Sequence, residues 1–500
     1  MAGRWRAARQ VKCSQTILPG LTIAAGVTPI FDLTIPDVLV DRRWSSRDEI
    51  AALGGGWRTR LLEALGPSQR HTAVVLPTSA EGVALFLAVG SLPAPIILLT
   101  PDPRTWRTDP PIPLGTPLVL PPSLAALEPE ARLIGCVPLP LPEGGEASHD
   151  AALTPLQTPG VVMFTSGSTG LPRPVFRTIA GVLTAAMARL RALQIVSGEG
   201  ILTGLPLGHG PGLGSLLASM TLGGTFGLLG PIDHRAALTM LARPEFSFWW
   251  ETPHFADVLG RCTLAAPAAA PRACVIASPI SRRVFAAFLD RFGVPLRQTY
   301  ASNETGVVSV DAGPSSDVRP ETVGRPLPGV EVVIGDTLRE PCRRAETGRI
   351  WVKSPWQMHG YGFPPTLERP GAVGDWWPTK DVGSFDGDRL ILAGRIDDCI
   401  RTRDSRLVNL AAVARSFQNA ARVRDAVVLG LEGSAGTSIG AVIQGEAALT
   451  IDELRQELWS TMPSAWWPRQ LVLVDAMPRL ANGKPDRRRC HTLLNGAEPS

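Results

Sequence analysis

Lysine is nearly absent from this chain of 500 residues. Its 49 basic residues are 45 arginines and only Lys12, Lys353, Lys380 and Lys484. With 50 glycines and 47 prolines, this reads as the codon bias of a GC-rich genome, so a retained lysine draws notice. Charge of one sign is also lacking. The net charge is +4, and no basic run with interleaved aromatics occurs, which argues against a nucleic-acid partner. The seven cysteines are scattered without a Cys-x2-Cys pair, so neither a zinc site nor a disulfide framework is expected. Reduced thiols in a cytoplasmic protein are the default. The longest uncharged run, Gly82–Pro101, contains Pro93 and Pro95 and reads as a strand–turn–strand core, not a membrane span. Arg4, Arg6, Arg9 and Lys12 precede a mildly apolar stretch, but Pro19 and Gly20 break it, against a cleaved leader. A Walker sequence and a solenoid repeat are both missing.

What is present is a folded, multi-domain pattern: 44% hydrophobic and 19% charged residues can bury a full-sized core. Residues 72–100 read as strand (Thr72–Leu76), helix (Ala80–Val89) and strand (Ile96–Thr100), hence a parallel sheet. From 161 to 300, apolar strands alternate with amphipathic helices such as Ile179–Leu193 and Ser281–Arg291. After 320 come short strands and turns (Val330–Ile334, Gly348–Val352, Arg389–Ala393), which suit a small β-rich subdomain. Beyond a break near 395–400, a helix (Leu410–Asn419), two strands (Arg424–Leu429, Ile439–Gly445) and a helix (Ile451–Met462) make an α+β unit. The fold class is therefore α/β, with a large domain over 1–396 and a small α+β domain over 397–500.

The most informative stretch is Val161–Val175. An apolar strand stops at Thr165-Ser166-Gly167-Ser168-Thr169-Gly170, with Arg173 just beyond. Glycines permit close backbone approach and the hydroxyls add donors, so the loop suits polyphosphate oxygens. It resembles the phosphate-binding signature of the adenylate-forming superfamily, which includes acyl-CoA synthetases, aryl-acid ligases, luciferases and peptide-synthetase adenylation domains. Here Ser168 stands for a Thr and Arg173 for a Lys. The resemblance covers roughly residues 70–490; residues 1–70 match poorly.

Three more segments carry the resemblance. Gln298-Thr299-Tyr300-Ala301-Ser302-Asn303-Glu304 is similar to the family's Tyr-Gly-x-Thr-Glu. It implies Tyr300 near adenine, Asn303 on the α-phosphate, Glu304 as a hard oxygen ligand for Mg²⁺, and Ala301 on the wall of the acyl pocket. Trp377-Pro378-Thr379-Lys380-Asp381 and Gly394-Arg395-Ile396-Asp397-Asp398 imply that Asp381 holds the ribose hydroxyls, that Arg395 faces phosphate or ribose oxygens, and that Asp397 is the hinge of a mobile C-terminal domain. Lys380 departs from the usual Gly. Pro478-Arg479-Leu480-Ala481-Asn482-Gly483-Lys484-Pro485-Asp486-Arg487 implies Lys484 as the catalytic lysine, bridging the substrate carboxylate and the α-phosphate.

His209 occupies the place where acyl- and aryl-acid ligases put a His or aromatic at the pocket mouth. Amino-acid adenylation domains carry an Asp there. Its absence leaves a substrate ammonium without a partner, so a small acyl or aryl acid without an α-amino group is expected. Other departures are Ala277-Ser278-Pro279 for a Gly-Gly-Ala turn, Asp404 for a Gly in the loop after the hinge, and Ala414 for a Glu. Gly436-Thr437-Ser438-Ile439-Gly440 fits the hydrolase elbow pattern, but a strand follows the Ser, so a hairpin turn is expected. The resemblance implies an ATP- and Mg²⁺-dependent ligase that forms an acyl-AMP and passes the acyl group to the pantetheine thiol of CoA or an acyl carrier protein. The alternatives are a degenerate paralogue that binds nucleotide or a partner without catalysis, and an amino-acid adenylation domain.

Overall fold

The computed structural model describes residues 33–40, 43–65, 70–143, 156–165, 171–230, 234–267, 269–277, 280–342, 346–401, 407–432, 437–460, 462–463, 466–479 and 485–496. Three sheets make up the large domain. The eight-stranded sheet runs Thr366–Glu368, Gly360–Phe363, Pro174–Thr178, Gly160–Phe164, Ile96–Leu99, Thr72–Val75, Pro117–Leu120, Val137–Pro140. Its strands from Gly160–Phe164 to Val137–Pro140 are parallel; Gly160–Phe164 and Pro174–Thr178 form an antiparallel hairpin. The nine-stranded sheet has a parallel centre, Leu296–Ser302, Ala273–Ala277, Phe246–Glu251, Gly200–Thr203 and Phe226–Leu228, flanked on one side by the antiparallel Gly306–Val310. A four-stranded antiparallel sheet (Glu331–Ile334, Gly348–Lys353, Trp377–Asp386, Arg389–Arg395) is the β-rich subdomain.

The helices Ala80–Gly90, Ile179–Ala192 and Gly210–Leu222 are apolar almost all round and share one core with both large sheets. That is the sandwiched-helix solution for sheets that must be covered on both faces. The run Gly82–Pro101 is therefore a buried helix followed by a strand, as the strand–helix–strand reading of 72–100 expects, and the strand–turn–strand reading of the run is corrected. Nine consecutive buried residues, Gly82–Gly90, favour a helix once Ser79 caps its N-terminus by accepting from Gly82 N–H. Among the described residues no helix is long and apolar enough to cross a membrane.

Two separate cores draw only on residues from 400 onward. They wrap the helix Leu410–Gln418 and a sheet in which Val423–Leu431 pairs antiparallel with Ser438–Gly445, and that strand pairs parallel with Gln470–Val474. Ser438 thus begins a hairpin strand and precedes no helix, as the hairpin reading requires. Asn409 caps Leu410–Gln418 through two N–H groups, and its amide also reaches the Ala393 carbonyl.

Candidate active site

Three sheets bring the candidate residues together at their edges. The hairpin of Gly160–Phe164 and Pro174–Thr178 carries Thr165 and Arg173 at its open end, joined by two hydrogen bonds. Thr165 N–H donates to the Arg173 carbonyl at 3.0 Å, and Arg173 N–H donates to Thr165 Oγ1 at 3.1 Å. Ser166, Gly167, Ser168, Thr169 and Gly170, which span the tip, lie outside the described residues.

Residues 303–305 turn the chain between Leu296–Ser302 and Gly306–Val310 and present Asn303 and Glu304. Gly306 closes that turn at φ +68°. A Cβ there would lie 2.5 Å from Trp356 and 2.8 Å from the Arg177 guanidinium, so only glycine fits. Asn303 Nδ2 donates to the Phe164 carbonyl at 2.9 Å, which fastens this turn to the strand leading into the loop. The helix that His209 begins abuts the same turn: a Cβ on Gly210 would lie 3.5 Å from Asn303 Oδ1. Ala301 is exposed on its strand, next to a bulge in the pairing.

Two tyrosine–carboxylate pairs organise the charges. Tyr300 Oη donates to Asp381 Oδ2 at 2.6 Å. Asp381 lies opposite Arg395 in the antiparallel register of the four-stranded sheet. Burial raises the Asp381 pKa, while the Tyr300 hydrogen bond and the Arg395 charge pull it back. On the other side, Tyr361 Oη donates to Glu304 Oε1 at 2.8 Å, and the Arg173 guanidinium lies 3.8 Å from the Tyr361 ring centre. Trp377 backs the same ring edge-on at 5.7 Å. Burial, then the neighbouring carboxylates, push both phenols above their ordinary pKa. Beneath lies Arg177, fully buried and donating to the Gly181 and Trp356 carbonyls; burial lowers its pKa to about 10 and Glu304 opposes that shift.

Among the described residues no cluster of three or more His, Cys, Asp or Glu could hold a metal by itself. A magnesium ion would therefore depend on nucleotide phosphates with Glu304 as its protein carboxylate, which is how this ion is commonly held. Lys380 is exposed beside Asp381. Lys484, residues 402–406 and 278–279, and the side chain of Asp397 lie outside the described residues. Arg487 of the fourth segment reaches Asp398 of the third at 2.9 Å, and Asp486 caps the final helix Arg487–Leu494.

The family model of AMP-binding enzymes matches residues 124–362, a stretch that holds Thr165, Arg173, Tyr300, Glu304 and Tyr361. Residues 124–362 are an AMP-binding enzyme domain, the domain of the adenylate-forming superfamily. Novobiocin biosynthesis protein H from Streptomyces niveus is 28% identical over 483 residues, 90% of this chain and 79% of that protein. A 2-succinylbenzoate–CoA ligase from Bacillus pumilus is 27% identical over 368 residues, 70% of this chain and 72% of the ligase. The solved amide bond synthetase of Marinactinospora thermotolerans shares the fold at a TM-score of 0.78 and 23% identity, over 92% of this chain and 97% of the synthetase.

The reading by motifs missed two residues of this candidate site. Tyr361 lies in a short strand, Gly360–Phe363, outside any of the four segments. Scarcity was the available signal: the chain has only two tyrosines, and the site holds both. Arg177 was missed as well, because a single arginine among forty-five carries no signal until its burial is known.

Proposed function

We propose that this AMP-binding enzyme is an acid–thiol ligase. The observation that carries the reading is one connected set drawn from three sheets: Arg173 over Tyr361, Tyr361 on Glu304, Asn303 on the loop strand, and Tyr300 on Asp381 opposite Arg395. Asp381 keeps Oδ1 for ribose hydroxyls, a role a carboxylate performs as a pure acceptor. Arg173 offers a forked cation to the pyrophosphate end of ATP. The acid carboxylate attacks the α-phosphorus, pyrophosphate leaves, and Lys484 bridges the charge that develops. A pantetheine thiol then attacks the acyl carbon. A C–S bond forms, the C–O bond to phosphate breaks, AMP leaves, and the thiol proton passes to solvent.

The acid is a small acyl or aryl acid without an α-amino group. Glu251 is a carboxylate at the start of the loop that leads to His209. Its two oxygens already accept from Gly204 N–H at 2.9 Å and Thr252 N–H at 2.8 Å, so it is not poised as an ammonium partner. The 2-succinylbenzoate–CoA ligase similarity supports an aromatic acid and a CoA-type acceptor. A second reading, in which an amine takes the acyl group, is favoured by likeness to the amide bond synthetase. The test is pyrophosphate exchange across aryl, short acyl, fatty and amino acids, followed by product analysis with thiol and amine acceptors. Exchange with an amino acid alone would overturn the acid class. Exchange without thioester formation would leave adenylation standing and transfer the second step to the amine reading.

A further inference from the structure

Arg177 and Arg189 are both buried in the large domain, and they differ in what meets their charge. Arg177 donates to two carbonyls. Arg189, in the helix Ile179–Ala192, is fully buried, and its Nε, Nη1 and Nη2 reach no hydrogen-bond acceptor among the described residues. Burial lowers its pKa to about 9, with no neighbouring charge to oppose the shift as Glu304 does for Arg177. At neutral pH the guanidinium therefore stays charged. It rests on two rings, 3.4 Å from the Trp250 ring centre and 5.2 Å from that of Phe248. Ring faces attract a cation but leave the hydrogen-bonding capacity of its five N–H donors unmet. A buried cation without such partners is a costly arrangement, and a methionine would fill the same apolar space without it. Trp250 Nε1 and Ser215 Oγ are likewise buried without a hydrogen-bond partner among the described residues.

These groups are tied to the His209 loop. Thr203 Oγ1 donates to the Trp250 carbonyl at 2.8 Å and accepts from Leu205 N–H at 3.1 Å, so the strand end that carries Trp250 is fastened to the start of that loop. The loop ends at His209, which begins the helix Gly210–Leu222, and Ser215 lies about 9 Å along that helix. Its neighbour Gly214 faces the helix of Arg189: a Cβ there would lie 3.5 Å from Ala186 Cβ, about one turn before the arginine. Glu251 does not supply the missing anion. It follows Trp250 in the strand and so points to the opposite face, where Gly204 and Thr252 hold its two oxygens. An acid that enters past His209 thus extends toward a buried, charged fork with no partner of its own.

We propose that Arg189 determines specificity by taking a second carboxylate at the far end of the acid, so that the substrates are dicarboxylic acids; the inference rests on the acid–thiol ligase reading for the first carboxylate. Two carboxylate oxygens match the guanidinium fork and neutralise its charge. The test is ATP-dependent pyrophosphate exchange with matched acids: succinate, adipate and suberate against butyrate, hexanoate and octanoate, and terephthalate against benzoate. In at least one pair the diacid is expected to exceed its monoacid about tenfold or more in kcat/KM, the worth of a charge-assisted contact. Arg189→Met should lower kcat/KM for that diacid about tenfold or more and leave the monoacid and the KM for ATP unchanged; Arg189→Lys should keep part of the preference. The wild-type pairs and the lysine variant decide the question should Arg189→Met not fold. A monoacid equal to or better than its diacid in every wild-type pair, or equal loss of diacid and monoacid in both variants, would overturn the proposal and leave the ligase reading standing. Calorimetric titration with the same diacids separates the two claims. Diacid binding that Arg189→Met abolishes, without exchange for any acid, would support the subsite and remove the ligase reading; neither binding nor exchange would remove both.

Discussion

Two tyrosine–carboxylate pairs are built from the same side-chain types and differ in what surrounds them. Tyr300 and Asp381 are enclosed between the nine-stranded and four-stranded sheets, with one cation, Arg395, opposite. Tyr361 and Glu304 have Arg173 over the ring on the open side and the buried Arg177 on the other. In the first pair burial dominates, and the carboxyl is pushed up. In the second, two guanidiniums flank the pair, a charge arrangement that suits a polyanion with a divalent ion on the proposed reading. On the proposed reading, the difference separates a platform for one end of the nucleotide from a charged clamp for the other.

Breaking the platform should cost most. Asp381→Ala removes the proposed acceptor for two ribose hydroxyls, each charge-assisted bond being worth about 1.5–3 kcal/mol. ATP-dependent pyrophosphate exchange should fall about 10² or more in kcat/KM. A change below tenfold would show that Asp381 is only a partner for Tyr300.

Glu251 extends the comparison to a carboxyl with burial and no cation. Its pKa is raised from 4.5 to about 7 by burial, against two backbone hydrogen bonds. The native state therefore holds the proton more tightly than the unfolded chain. The stability this confers is full below pH 4.5 and is lost as pH rises to about 7. The loss is on the order of 3 kcal/mol. Urea midpoints at pH 5 and pH 8 should show Glu251→Gln gaining on the wild type at the higher pH. A pH-independent difference would contradict the assignment.

Much of this architecture is legible from residues alone, for identifiable reasons. The expected helix Leu410–Asn419 and strand Ile439–Gly445 agree with Leu410–Gln418 and Ser438–Gly445, because Asn409 and a β-branched run mark their limits. The helix Arg47–Ala64 was not foreseen. Its capping box, Ser46 with Glu49, was readable, but Gly54, Gly55 and Gly56 break the helical propensity and the apolar face is weak. Packing of Ile50, Trp57 and Leu61 into the large core overrides that propensity. The site divides the same way. Asp381, Glu304 and Arg173 lie in local motifs, whereas Tyr361 joins Glu304 across 57 residues of chain, a proximity that only the sheet pairing creates.

The clamp can be probed through Tyr361 itself. Tyr361→Phe removes the hydroxyl from Glu304 and keeps the ring under Arg173; Tyr361→Ala removes both. The KM for MgATP should rise about threefold in the first and about tenfold in the second, on the scale of one hydrogen bond and one cation–π contact. Equal effects would assign the whole contribution to the hydroxyl and leave the ring merely adjacent.

The smallest effect is expected where the charge is kept. Arg173→Lys preserves a cation at the mouth of the hairpin, and an ammonium can also lie over the Tyr361 ring. The backbone bonds between residues 165 and 173 do not involve the replaced side chain. What is lost is the planar fork, which matters only if two phosphate oxygens are held at once. The KM for ATP should therefore change by less than about threefold, against about tenfold for Arg173→Ala, which removes charge and stacking together. Should the lysine variant fall as far as the alanine variant, Arg173 grips the phosphates bidentately, and its place over Tyr361 serves to aim that fork. The clamp would then depend on geometry as strictly as the platform does, and the two pairs would differ in charge alone.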